Sequence, residues 1–168
     1  VLCVKRGLDL KPLSYGGSQE RGLRPGTENV PAAVGLAKAL ELAKKRRSEE
    51  SARLNKLSGR FIRLLQGRLP DIVIHAGEAP RLPHFVSVCV PGMDAEFMVV
   101  KLDLNGIAAS TGSACRIIGG QGFSPVIAAL PKGAQCAAHT IRFTLGRSTR
   151  PADIDRAAEV FSNLVRSV

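Results

Sequence analysis

Cys115 closes a run of small residues, Ser110-Thr111-Gly112-Ser113-Ala114, in which nothing bulky shields the thiol. Small side chains let the backbone bend and leave a nucleophile open to approach. A cysteine attacks as its thiolate, and the adjacent Arg116 carries the charge that favours that form. On local sequence alone a second reading is as good: a lone cysteine packs as a small hydrophobe. Arg142 poses a similar choice. It stands inside the alternating stretch Thr140–Leu145, where a charge is costly unless something anionic meets it. A structural ion pair with an Asp or Glu of the same domain would satisfy it. So would a ligand carboxylate, held by the planar fork through two parallel hydrogen bonds.

The remaining candidates have plainer readings. Cys89 falls in the alternating run Phe85–Val90 and is expected to be buried. Cys136 precedes the last strand in a polar stretch, and Cys3 lies near the start. No two cysteines stand at Cys-x-x-Cys spacing, and no Cys/His set has zinc-like spacing, so no metal site is expected. With no secretory leader at Val1, reduced thiols and a cytoplasmic location are the expectation. His75, His84 and His139 stand singly, as surface or strand-end histidines do.

The elements that must position these side chains can be read in outline. Residues 1–30 are a strand end followed by irregular backbone, with four Gly and one Pro between Tyr15 and Thr27. From Pro31 to Arg68 the pattern is helical, and Leu54, Leu57, Phe61 and Leu64 form one stripe. Ile72–Ile74 and Phe85–Val90 predict strands bounded by prolines. Asp94 can cap a helix ending near Leu104, with Asn105-Gly106 as its stop. Ile107–Ala109 predicts a short strand leading into the Cys115 loop, and Pro125–Leu130 a short helix. In Thr140–Leu145, residues Ile141, Phe143 and Leu145 should face the core, with Thr140, Arg142 and Thr144 turned away. A last helix carries Ile154, Ala157, Ala158, Phe161, Leu164, Val165 and Val168 at helical spacing, with Ser148 or Thr149 available as its cap. The sum is an α+β fold, helices packed on a small, mostly antiparallel sheet.

Composition excludes some classes. At 168 residues and 45% apolar content, the chain can bury a core and is not disordered in bulk. No apolar run approaches a membrane span. The net charge of +10 is concentrated between Lys38 and Arg68, where ten Lys or Arg meet only Glu41, Glu49 and Glu50. Without aromatic interleaving or a nucleic-acid motif this reads as the solvated face of a long helix, and nucleic acid is not an expected partner.

Three segments carry a resemblance. Gly16-Gly17-Ser18-Gln19-Glu20-Arg21-Gly22-Leu23-Arg24-Pro25-Gly26-Thr27-Glu28-Asn29-Val30 resembles the GGGQERGxRxGTxxV segment of cysteine desulfurases. Ser110–Cys115 is similar to their active-site loop, and Ile141-Arg142-Phe143-Thr144-Leu145-Gly146-Arg147-Ser148-Thr149 to their IRFSLGRxT strand. The segments occur in the family's order, and Asp153-Ile154-Asp155 resembles the opening of its last helix.

The resemblance implies the C-terminal portion of a pyridoxal-phosphate-dependent, class V aminotransferase-like enzyme of fold type I. Residues 1–30 would be the end of the large cofactor-binding domain, and 31–168 a connecting helix and the small C-terminal domain. The implied enzyme is a homodimer that takes L-cysteine to L-alanine and leaves the sulfur on Cys115 as a persulfide. By the same resemblance Arg142 would hold the substrate carboxylate, and Thr27 would reach the cofactor phosphate across the dimer. An iron–sulfur scaffold protein or a tRNA-thiolation enzyme would take the sulfur. The family's Schiff-base lysine lies in a Ser-x-His-Lys segment that this chain lacks. The chain thus reads as a fragment, inactive alone. Arg116-Ile117-Ile118-Gly119-Gly120-Gln121-Gly122 also departs from the small, hydroxyl-rich run common after the nucleophile. Selenocysteine lyase, sharing the Glu28-Asn29 and Gly146–Thr149 features, is the nearest alternative. A non-catalytic sulfur-carrier or interaction module is the other.

Overall fold

Leu54, Leu57, Phe61 and Leu65 return to one side of a helix every three or four residues, and burying that stripe organises the chain. The computed structural model describes residues 1–112, 124–130 and 133–167. Two compact units divide the chain, Val1–Arg46 and Arg47–Val168. The boundary falls within α1 (Val30–Arg68), which is 39 residues long. Asn29 Oδ1 accepts the Ala32 N–H at 3.0 Å and satisfies one of the free donors at the helix start.

In the first unit no side chain is buried, and Val34, Leu40 and Tyr15 lie open. Its backbone ahead of α1 is irregular. Glu20 and Arg21 hold positive φ angles of 49° and 60°, a region L-residues rarely occupy, followed by Gly22 at 77°.

The second unit holds the core. A three-stranded antiparallel sheet runs in the order β1 (Val73–Ile74), β2 (Phe85–Cys89), β3 (Thr140–Thr144). Val86 pairs with Phe143 and Val88 with Ile141, so the buried sets of the two long strands stand side by side. Onto these pack the second half of α1, α2 (Ala95–Leu104) and α4 (Pro151–Arg166). Phe143 sits edge-on between Phe61 of α1 and Phe161 of α4, with ring centroids 5.0 and 5.4 Å away. Bidentate pairing of Arg60 with Asp155, at 2.7 and 2.8 Å, joins α1 to α4 at the surface. This is the expected α+β arrangement.

Asp94 Oδ1 accepts the Phe97 N–H at 3.0 Å, and Gly106 at φ 72° ends α2, as expected. Other expectations need correcting. Ile107–Ala109 forms no strand; the pairing there is a single bridge, Ser110 to Arg142. The cap of α4 is Arg150, whose N–H and side chain share the Asp153 carboxylate, while Thr149 Oγ1 accepts the Gly146 N–H instead. Of the predicted short helix, α3 spans Pro125–Ala128. Thr140 is buried, because its hydroxyl has partners inside: it donates to the Cys136 carbonyl at 2.7 Å and lies 3.0 Å from His75 Nε2.

The largest correction concerns the thiols. Cys89 and Cys136 form a disulfide across 47 residues, with Cα atoms 5.5 Å apart, so the expectation of four reduced thiols fails. Closing a loop of that length disfavours the unfolded chain by about 4 kcal/mol on the chain-entropy account.

Candidate functional site at the Ser110–Arg142 pairing

Alternation along β3 puts Ile141 and Phe143 in the core and leaves Arg142 exposed between them. The Arg142 guanidinium lies over the Phe85 ring, 5.8 Å from its centroid, a contact that orients the fork without neutralising it. The ion pairs among the described residues are Lys38–Glu41, Glu50–Arg53, Arg60–Asp155 and Arg150–Asp153. Arg142 is in none of them. The structural ion pair weighed from sequence is not realised among the described residues, and the fork faces solvent.

The Arg142 backbone does a second job. Its N–H donates to the Ser110 carbonyl at 2.7 Å, and its carbonyl accepts the Ser110 N–H at 3.1 Å. Ser110 then turns the chain: its Oγ donates to the Gly112 carbonyl at 2.9 Å. Cys115 lies outside the described residues. Beyond it, the Ser124 N–H donates to the Ala137 carbonyl at 3.0 Å, and Ser124 Oγ accepts the Ile127 N–H to start α3. The described residues on either side of 113–123 are therefore held at Arg142, through Ser110, and at Ala137, through Ser124. Gly133 is held against α3, where a Cβ would collide with the Ile127 carbonyl oxygen.

Arg53 was not singled out in the sequence. It reaches across from α1 to the turn after β3 and donates to the carbonyls of Thr149, Gly146 and Arg147 at 2.7, 3.0 and 3.2 Å, while Glu50 holds its other edge. It fixes the turn that follows Arg142. Its only local signal is the Glu50-x-x-Arg53 spacing.

Thr27 belongs to the first unit. It is exposed, and its hydroxyl makes no hydrogen bond among the described residues. Gly26 before it has φ 97°, and its N–H donates to Gln19 Oε1 at 3.2 Å.

His75 is less isolated than its sequence context suggests. One of its ring nitrogens and the sulfurs of Cys89 and Cys136 all lie within 4.8 Å of one another. Burial pushes its pKa below the usual histidine value. Hydrogen bonds from Arg60 hold the Asp155 carboxyl below its ordinary range, and those from Arg150 do the same for Asp153. In both cases the unfolded chain binds the proton more readily, so stability must rise with pH. The His75 penalty begins as pH drops below about 6.5. The carboxylate contribution is present above about pH 4 and fades as pH falls through the lowered native values. The urea midpoint should therefore fall between pH 7 and 5. His75→Gln, which keeps an amide donor for Thr140, should flatten that limb, and an unchanged slope would assign it to another group.

The whole length of the chain has counterparts elsewhere. Residues 1–157 match the family model for aminotransferase class-V. The chain belongs to the class-V aminotransferase family. Among curated relatives of the family, the cysteine desulfurase IscS of Clostridium botulinum (strain Hall) is 36% identical over 168 residues, which is 99% of this chain and 42% of that protein. Cysteine desulfurase IscS 1 of Archaeoglobus fulgidus is 39% identical over 165 residues, 98% of this chain and 43% of that protein. A NifS-like protein from Rickettsia africae superposes with a TM-score of 0.75 at 27% identity, covering 96% of this chain and 41% of that one. The chain thus spans about two fifths of the length of these relatives. No helix among the described residues is long and apolar enough to cross a membrane.

Proposed function

We propose that this chain is the sulfur-accepting part of a pyridoxal-phosphate-dependent cysteine desulfurase, with Cys115 as the nucleophile. The observation that carries the reading is the Ser110–Arg142 bridge. It ties the start of the thiol-bearing segment to an arginine that has no acidic partner among the described residues. Chain connectivity alone keeps Cys115 within about 17 Å of Ser110, so the segment is short enough to carry the thiol back to a substrate held on Arg142.

In this reading Arg142 grips the carboxylate of L-cysteine through its fork. The Cys115 thiolate attacks the substrate sulfur; the S–S bond forms as the Cβ–S bond breaks. The electron pair stays with the carbon skeleton, which takes up a proton and leaves as L-alanine. The persulfide then passes to an iron–sulfur scaffold protein or a tRNA-thiolation enzyme in the cytoplasm.

The cofactor, when bound, supplies the electron sink for that bond cleavage. Thr27 suits its phosphate: the hydroxyl is exposed and has no protein partner among the described residues, on a Gly-rich turn. No lysine follows a Ser-x-His motif here, so the covalent anchor must come from outside these residues. Residues 1–30 belong, in this reading, to the large domain of a homodimer, and 31–168 to the connecting helix and small domain. The open apolar side chains of the first unit support that assignment, since exposed Val34, Leu40 and Tyr15 want a packing partner.

The 168 residues purified alone should show no pyridoxal absorbance and release no sulfide from L-cysteine. The protein expressed from its full reading frame should turn over. There, Arg142→Ala should lower kcat/KM about 100-fold, the worth of two charge-assisted hydrogen bonds at roughly 1.5 kcal/mol each. Turnover by the isolated chain, or an Arg142→Ala enzyme of full efficiency, would overturn the reading.

A further inference from the structure

The four cysteines sort into two chemical populations. Cys3 is exposed and free, and Cys115 follows the run of small residues 110–114. Cys89 is fully buried in β2 and Cys136 nearly so, in the turn that leads into β3. The proposed reaction uses Cys115 alone and leaves the Cys89–Cys136 pair without a role.

The position of that pair gives it one. The disulfide closes a ring of chain that contains α2, Ser110, Cys115 and α3. Ser110 is held to β3 by backbone bonds that do not involve either sulfur. The other end of the Cys115 segment depends on the turn beside Cys136. The Ser124 N–H rests on the carbonyl of Ala137, the Cys136 N–H rests on Gly133, and Gly133 packs against α3. The Cys136 carbonyl is in turn held by the Thr140 hydroxyl. A covalent bond from Cys136 to β2 pins this whole turn; cutting it leaves hydrogen bonds alone.

We infer that Cys89–Cys136 is a reversible disulfide site, oxidised by a low-molecular-weight disulfide, whose state sets how tightly the C-terminal anchor of the Cys115 segment is held. The assignment rests on Cys115 being the working thiol. Cys136 is the first to react, since it is the less buried residue of the two and sits in a turn that can open locally. Its thiolate attacks one sulfur of the small disulfide, a mixed disulfide forms, and one small thiolate departs. Cys89 then attacks the Cys136 sulfur, and the second small thiolate departs. The two protein thiols lose two electrons, which reduce the small disulfide, and their two protons end on the departing thiols. The imidazole of His75 lies beside both sulfurs.

The test uses the full 168-residue chain equilibrated with glutathione disulfide or with a reducing phosphine. Each sample is treated with a maleimide, digested and read by mass spectrometry. In the oxidised sample only Cys3 and Cys115 should be labelled; after reduction and unfolding all four should be. The labelling rate of Cys115 in the folded chain should be at least about fivefold slower in the oxidised form, the low end of a typical coupling between sites. Cys136→Ser should label Cys115 at the reduced rate in both conditions. The wild-type comparison stands by itself if that variant folds poorly. Full labelling of Cys89 and Cys136 after oxidation, or a Cys115 rate indifferent to their state, would overturn the inference. Neither result bears on whether Cys115 accepts sulfur, which is read separately as the gain of a sulfur atom from a persulfide donor.

Discussion

Phe143→Ala is expected to cost the second unit about 3–5 kcal/mol, the usual range for deleting a buried aromatic ring. The site is unforgiving for a specific reason. Phe143 touches Phe61 on α1 and Phe161 on α4, both edge-on, so one ring couples the sheet to two helices. Truncation removes both contacts, and the cavity lies where three elements meet and none can move in without leaving another. Against a typical total of about 5–15 kcal/mol, that is a large share of the stability. Urea unfolding followed by far-UV circular dichroism reads the change, with the midpoint falling and the slope unchanged. Phe143→Leu keeps most of the apolar volume and should lose less than half as much. A loss below about 1 kcal/mol for the alanine variant would mean that the three rings are not the centre of the core.

The same ring explains why so much of the fold was legible. β3 alternates so cleanly that Ile141, Phe143 and Leu145 declare the buried face, and α4 repeats Ile154, Ala158 and Phe161 at helical spacing. Where one face must be buried, a slip of one residue would turn every apolar side chain outward. The pattern therefore carries its own check. Asp94 was legible for a local reason, since a cap needs only its own helix start.

What stayed hidden depends on contacts between distant positions. Cys89 was read as buried, which it is, but nothing in a spacing of 47 residues announces its partner. The disulfide, the His75 neighbour and the buried hydroxyl of Thr140 are one cluster, so missing the first meant misplacing the last. Arg53 was hidden in a run of basic residues whose other members are solvated. Its three carbonyl partners lie more than ninety positions away, and carbonyls have no sequence signature. The candidate site divided along the same line: the types and order of Thr27, Cys115 and Arg142 could be read directly. The Ser110–Arg142 bridge, which sets Ser110 beside Arg142, could not.

The second large effect concerns Cys115. On the proposed function, Cys115→Ser in the protein expressed from its full reading frame should reduce alanine formation from L-cysteine by more than about 10³-fold, as loss of a covalent nucleophile does elsewhere. A serine hydroxyl is of similar size but is not ionised near neutral pH and cannot form an S–S bond. Binding should survive, because Arg142 and its pairing with Ser110 are untouched, so the dissociation constant for L-cysteine should stay within about twofold. Among the described residues of the second unit, no free thiol is available to substitute. Cys89 and Cys136 are buried and joined to each other. Mass spectrometry after exposure to a persulfide donor should then find added sulfur on the Cys115 peptide of the wild type, and in the variant only on the exposed Cys3. Continued turnover by Cys115→Ser, or the sulfur appearing on Cys136, would move the nucleophile to the buried pair. The 113–123 segment would then be a tether with no chemistry of its own.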